Sequence, residues 1–235
     1  MNQNPHYSII LPVYNQEKHL ESLFLNYTVA LDQLDKSFEL IIVVNGSSDK
    51  SYSKALELAE SYKMINVFNI DKGGWGRAVK YGISKAKGEC ICYTNSARTN
   101  VSDLINMLKY ASIDNEFVIK ASRIIRESFM RKFGSMIFNL EYRLLFHLPI
   151  FDVNGTPKIF HRNHIEKIDN IFSENDLIDA EIIARCFHNN IKIIEYPVFI
   201  TKRFEGKSTT NYSSALKMYW GLIKLKFKLR KFFIK

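Results

Sequence analysis

Two hydrophobic periods alternate along the first hundred residues. Tyr7–Val13 (YSIILPV) is a short apolar run, β-branched in its middle, that ends at Asn15. A run of this length without polar alternation predicts a strand buried on both faces, as in a parallel sheet. Over Gln16–Leu31 the apolar residues Leu20, Leu23, Phe24, Tyr27 and Leu31 recur at helical spacing. Phe38–Val44 (FELIIVV) predicts a second buried strand, ending at Asn45-Gly46-Ser47-Ser48-Asp49, with a helix over Ser51–Lys63. Ile65–Ile70 is a third strand, and the Gly-rich turn Lys72–Gly76 opens a helix through Lys87. Glu89–Thr94 (ECICYT) is a fourth strand, ending at Asn95-Ser96-Ala97-Arg98. Strands alternating with helices imply a parallel sheet with right-handed crossovers. Ligands of such sheets bind beyond the carboxyl ends of the strands.

After a helix over Val101–Tyr110 and a strand over Phe117–Ser122 the pattern changes. Arg126–His147 is helical and crowded with large apolar side chains, which predicts a helix that is buried or lies against lipid. Asp152–Phe160 (DVNGTPKIF), a helix near Asp176–His188, a strand over Ile191–Val198, the loop Lys202–Asn211 and a C-terminal helix complete the chain. No repeat, linker or low-complexity tract divides it.

Charge sharpens this picture at one end only. The net charge is +9, yet Gly206–Lys235 alone holds eight Lys or Arg and no Asp or Glu, so the remainder is close to neutral. The basic character belongs to the tail and predicts an acidic surface as its partner. On a helix over Ser213–Lys235, Lys217, Lys224, Lys228, Lys231 and Lys235 form a stripe. Trp220, Leu222, Leu225, Phe227, Leu229 and Phe232 are among the apolar residues around the rest. Two outcomes are open: aromatic residues buried in a membrane interface with lysines toward anionic lipid, or a helix packed on the protein's own core. No apolar run approaches the roughly 18 residues that span a bilayer. Met1–His6 is polar and the first strand follows at once, so a leader is not expected. Cys90, Cys92 and Cys186 are an odd, unpatterned set that fits a reducing compartment rather than disulfides, with Cys90 and Cys92 expected as core or edge thiols rather than zinc ligands. No nucleic-acid recognition motif accompanies the basic tail, so no nucleic-acid partner is expected.

The order of these pieces resembles glycosyltransferase family 2, and within it the polyprenyl-phosphate sugar synthases of the dolichyl-phosphate mannose synthase kind. Pro12-Val13-Tyr14-Asn15-Gln16-Glu17 is similar to P-x-Y-N-E-E, Asn45–Asp49 to D-G-S-T-D, and Gly74–Gly82 to G-x-G-x-A-x-x-x-G. Asp152, Gly155 and Lys158, spaced D-x-x-G-x-x-K, resemble the D-x-x-x-G-x-K segment, Asp179 and Glu181 are similar to F-D-x-E-L, and Arg203–Ser208 resembles R-x-x-G-K-S. The resemblance implies a GT-A, Rossmann-like, mainly parallel α/β sheet flanked by helices over residues 1–212, with a basic amphipathic helix over 213–235. It implies an inverting transferase that moves a sugar from a nucleotide-diphospho-sugar of UDP or GDP type to a lipid-phosphate or a lipid-linked or surface glycan. The alternative is a catalytically inactive GT-A donor-binding or scaffold protein.

On that resemblance the donor is bound by Pro12, Tyr14, Glu17, Asn45, Gly74, Gly76, Asn95, Ser96, Arg98 and Lys207. A diphosphate needs backbone N–H groups, cations or a metal around it, and Gly73, Gly74 and Gly76 let the backbone come close. A plain tight turn is the competing reading, as helix capping is for Asp49. Arg131, Lys158 and Asp179 are the catalytic candidates, the two cations as partners of phosphate. Asp179 and Glu181 are two apart on a helix, so they face nearly opposite ways and one of them enters the site, expected to be Asp179.

The departures bear on metal. The family's D-x-D, which holds Mg2+ or Mn2+, is matched here by Asn95, Ser96 and Ala97, and the aspartate usual after the second strand is Asn45. An amide and a methyl do not hold a divalent ion as two carboxylates do, so no metal ligands are assigned and any Mg2+ or Mn2+ use is weakened. The guanidinium of Arg98 either replaces the metal's charge or points to solvent. The expected location is cytoplasmic, peripheral at the inner face of a membrane, with room for a partner membrane protein or a homo-oligomer.

Overall fold

The computed structural model describes residues 4–125, 129–199 and 212–233, with side chains described except at 125, 129–132 and 212–216. The first half runs β1 (Tyr7–Val13), α1 (Leu20–Leu31), β2 (Phe38–Asn45), α2 (Ser51–Ala59), β3 (Ile65–Ile70), α3 (Trp75–Lys85), β4 (Cys90–Tyr93) and α4 (Val101–Ala111). The second half runs β5 (Phe117–Ile125), α5 (Phe129–Phe146), β6 (Lys158–His161), α6 (Arg162–Lys167), α7 (Ile178–His188), β7 (Lys192–Phe199) and α8 (Tyr212–Phe233).

Among the described residues one seven-stranded sheet forms, in the order β3-β2-β1-β4-β6-β5-β7. β6 is antiparallel to β4 and β5, and the other pairings are parallel. The expected α/β architecture is therefore present, with helices on both faces. Each strand feeds both: Ile9 and Leu11 pack with α1 and α4, whereas Ile10, Ile41 and Val43 pack with α3 and α7. Burying each such side chain contributes roughly 1.5–3 kcal/mol, which is why these strands read as unbroken apolar runs. Pro12 costs β1 no ladder bond toward β4, because that pairing ends at Ile10 and Tyr93.

A third cluster gathers Phe138 and Tyr142 of α5, Ile183 of α7 and Leu222, Leu225 and Leu229 of α8. The tail helix thus packs on the fold through Leu222, Leu225 and Leu229. Its packing partners lie within the sheet domain. Several boundaries also move: α1 begins at Leu20 and β5 reaches Ile125, and the short α6 was not expected. The three cysteines are free and buried.

Candidate active site

The carboxyl ends of β1, β2, β3 and β4 open onto four turns that brace one another. Asn15 sits in the left-handed region at φ 49°. It accepts from Ser48 N at 2.8 Å through Oδ1, and its own N donates to Ser47 Oγ at 3.0 Å. Glu17 N donates to Asp49 Oδ2 at 3.1 Å, and Asp49 Oδ1 accepts from Ser51 N at 3.0 Å at the start of α2. Burial alone would raise the Asp49 carboxyl, but bonds from Ser51 and Glu17 outweigh it and hold the group below the usual range. Asp49 is a turn brace here. Tyr14 is exposed at the mouth, and Pro12 is buried beneath it.

Asn45 ties two of these turns together. Its Nδ2 donates to Val13 O at 2.8 Å and its Oδ1 accepts from Gly74 N at 3.1 Å. Gly74 has φ 148°, and a Cβ there would stand 2.7 Å from Glu174 O. At Gly76 a Cβ would stand 2.7 Å from Asn175 O. The close backbone approach that these glycines permit is made to the 174–175 segment. Arg77 secures the turn by donating to Gly73 O at 2.8 Å and pairing with Glu174.

At the family's metal-binding position the donors are spent internally. Asn95 Oδ1 accepts from Ala97 N at 3.0 Å. Ser96 Oγ donates to Pro12 O at 2.9 Å and accepts from Gln16 Nε2 at 2.9 Å. Among the described residues no group of three His, Cys, Asp or Glu is placed to hold a metal ion. These residues do not fit Mg2+ or Mn2+. Arg98, half-buried, follows directly and borders a small crevice with Thr156, Pro157 and Phe199.

Asp179, at the start of α7, takes three side-chain donors from three separate elements. It accepts from Trp75 Nε1 at 3.0 Å, from Tyr93 OH at 2.9 Å and from the ammonium of Lys158. It therefore joins the glycine-rich turn, the end of β4 and β6. Lys158 is 0% exposed, with no surface from which to meet a phosphate. Burial pushes its ammonium down to about 8, against the pull of Asp179. Glu181 points elsewhere: it accepts from Phe172 N, Ser173 N and Arg185 Nε at 3.0, 2.7 and 2.8 Å. The two carboxylates thus reach different partners, as their spacing on a helix predicts.

Strand register lines up a row of polar groups that the sequence reading did not single out. Tyr93 faces Lys158 across β4 and β6, Lys158 faces Lys120 across β6 and β5, and Lys120 faces Glu195 across β5 and β7. Lys120 Nζ donates to Glu195 Oε1 at 2.7 Å. Beside them Asp152 takes a forked pair from Arg123, with Nε and Nη2 both at 2.6 Å. Glu195 also accepts from Phe151 N and Asp152 N, at 2.8 and 3.1 Å. Two buried lysines side by side are tolerated because Asp179, Glu195 and Asp152 surround them. Arg131 lies on α5, but its side chain falls outside the described residues, as do Arg203 and Lys207 entirely.

The model of Glycosyl transferase family 2 matches residues 8–169. The chain belongs to this family. Among curated relatives of this family 2 chain is an undecaprenyl-phosphate 4-deoxy-4-formamido-L-arabinose transferase of Aeromonas hydrophila subsp. hydrophila. It is 25% identical over 219 residues, covering 92% of the chain and 66% of the relative. The chain thus spans just under two thirds of that relative's length. Glucosyl-3-phosphoglycerate synthase from Mycobacterium tuberculosis, solved with Mn2+, UDP and glucosyl-3-phosphoglycerate, superposes with TM-score 0.72 at 13% identity, covering 94% of this chain and 78% of that one. A mannosyltransferase from Pyrobaculum calidifontis, solved with GDP-Man and Mn2+, gives TM-score 0.64 at 16% identity, covering 97% and 65%. These two likenesses establish the GT-A fold of the family 2 chain.

Proposed function

We propose that this family 2 chain is an inverting glycosyltransferase that moves a sugar from a nucleotide-diphospho-sugar of UDP or GDP type onto a lipid phosphate. The observation that carries the acceptor class is the state of Asp179. A hydroxyl acceptor must lose a proton to a usable base. Asp179 already accepts from an ammonium, a phenol and an indole. It is also 3% exposed, so it does not present itself to an acceptor hydroxyl as a base. A phosphate monoester is anionic near neutral pH and attacks the anomeric carbon without one. The bond from that carbon to the diphosphate breaks, and the nucleoside diphosphate leaves with the electron pair. Asp179 and Lys158 then act as positioning residues that fix the glycine-rich turn against β4 and β6. The undecaprenyl-phosphate transferase among the relatives supports the same acceptor class. The chain would work peripherally at the inner, cytoplasmic face of a membrane, in keeping with its three free thiols.

Two expected outcomes test this reading. UDP or GDP raises the melting temperature, because a ligand that binds only the native state stabilises it, and the protein labels polyprenyl phosphate from a matching nucleotide sugar. Absence of nucleotide binding up to millimolar concentration would leave an inactive scaffold as the better description.

The second outcome concerns charge at the diphosphate. With Asn95, Ser96 and Ala97 unsuited to a divalent ion, Arg98 is the cation proposed to face the leaving group. Arg98→Ala lowers kcat/KM by about 10- to 100-fold, the loss of one charge-assisted contact of roughly 1.5–3 kcal/mol. EDTA changes the rate by less than about twofold, where a carboxylate-held metal would take most of the catalysis with it. The opposite pattern, with EDTA abolishing transfer and Arg98→Ala neutral, sinks the assignment of Arg98.

A further inference from the structure

One surface is built for a partner that the sugar-transfer site does not use. α5 buries one side against α7 and α8, through Phe138, Tyr142 and a bond from Tyr142 OH to Ala180 O at 3.1 Å. Its opposite side carries Phe133, Met136, Ile137, Leu140 and Leu144, all exposed, Leu144 to 67%. At about 100° per residue these positions fall in an arc of roughly 100°. They make an unbroken apolar stripe along the outside of the helix.

α8 lies beside α5 and runs parallel to it. Tyr219 OH donates to Gly134 O at 3.0 Å near one end, and Lys226 donates to Leu145 O near the other. α8 buries Leu222, Leu225 and Leu229 on the same core and crosses α7 where Gly221 meets Leu177. Its outer side is then fixed: Lys217, Trp220, Lys224, Phe227 and Lys231 share one exposed arc at the same periodicity. Both helices turn their buried sides to one core, so both outer sides face the same way. The result is a two-helix face of aliphatic residues on α5 beside alternating lysine and aromatic residues on α8.

We infer that this α5/α8 face docks the chain on an anionic lipid bilayer, with the α5 stripe seated among the acyl chains. Its chemistry selects the occupant. An apolar stripe this large is unusual on a free surface. Lysines interleaved with Trp220 and Phe227 suit the charged and amphipathic layer of lipid headgroups. α8 carries no acidic residue to repel an anionic surface. No helix among the described residues is long and apolar enough to cross a membrane, so the face lies on the bilayer rather than spanning it. The choice of a lipid rests on the lipid-phosphate reading above, whereas the geometry of the face does not depend on it.

Flotation of the full chain with vesicles of phosphatidylcholine, with and without phosphatidylglycerol, tests the inference. The chain floats with the anionic vesicles and is released by high salt. Leu140→Glu with Leu144→Glu abolishes flotation. Lys217→Glu with Lys224→Glu and Lys231→Glu weakens it on the order of 100-fold. All five positions are exposed, so both variants keep their melting temperature and their shift with UDP or GDP. Flotation of the α5 variant at the wild-type level, or none by the wild type, overturns the docking face. A wild-type dimer that the α5 variant turns into a monomer, without vesicle binding, overturns it in favour of a second copy of the chain. Vesicle binding without transfer to polyprenyl phosphate removes the acceptor assignment and leaves the docking face standing.

Discussion

Lys158→Met should destabilise the fold by about 3–5 kcal/mol and lower transfer at least about tenfold. Removing one partner of a buried ion pair leaves the other as an uncompensated charge, and that is where the cost arises. Asp179 is the group left behind, 3% exposed and still bonded to Trp75 and Tyr93. A domain of this size has roughly 5–15 kcal/mol of stability in all, so the loss takes a large share and shows in a urea titration. Transfer falls because Asp179 also anchors Trp75, the first residue of α3 after the glycine-rich turn. The double variant Lys158→Met with Asp179→Asn separates the two effects. It removes both charges, so it recovers at least half of the lost stability while transfer stays low. A single variant that loses less than about 1 kcal/mol would mean that the pair is not buried in solution. Wild-type transfer in the double variant would remove both residues from the reaction.

This buried pair also marks where sequence stopped being sufficient. The alternation of strands and helices, the turns at the carboxyl edge and the different headings of Asp179 and Glu181 were all legible, since each depends on local periodicity. Partnerships between distant strands were not. Lys158 matched a motif and suggested a phosphate ligand, yet the antiparallel insertion of β6 between β4 and β5 carries it under the sheet's helical cover to Asp179. One signal was present: Lys120 follows the apolar Phe117–Ile119 inside β5, and Glu195 is the one anion of KIIEYPVF. Opposite charges set inside strands are costly to bury unless paired. Pairing them foretells the β5–β7 register, in which they lie opposite one another. The tail helix was open for a different reason. Its apolar residues suited both a membrane interface and the protein's own core, and only the position of α5 and α7 decides that Leu222, Leu225 and Leu229 turn inward.

The same substitution, glycine to alanine, should act with opposite signs at two positions: costly at Gly155, favourable at Gly134. Gly155 lies in the segment that carries Asp152 past β5, with its N donating to Asp152 O at 3.0 Å. A Cβ there would stand 1.9 Å from Ala121 O and 3.0 Å from Asp152 Oδ2. The first obstacle is strand backbone, bonded in turn through Ala121 N to Pro157 O at 2.8 Å. Relief requires the whole segment to lift from β5, which disturbs the fork between Asp152 and Arg123 and the bonds from Phe151 N and Asp152 N to Glu195. Overpacking of this kind costs typically 1–3 kcal/mol and occasionally more, and Gly155→Ala belongs at about 3 kcal/mol. At Gly134, inside α5, a Cβ meets nothing within 4 Å, so Gly134→Ala gains up to about 1 kcal/mol from helix propensity. Paired denaturant titrations decide the matter. A neutral Gly155→Ala would show that the 152–157 segment does not press on β5.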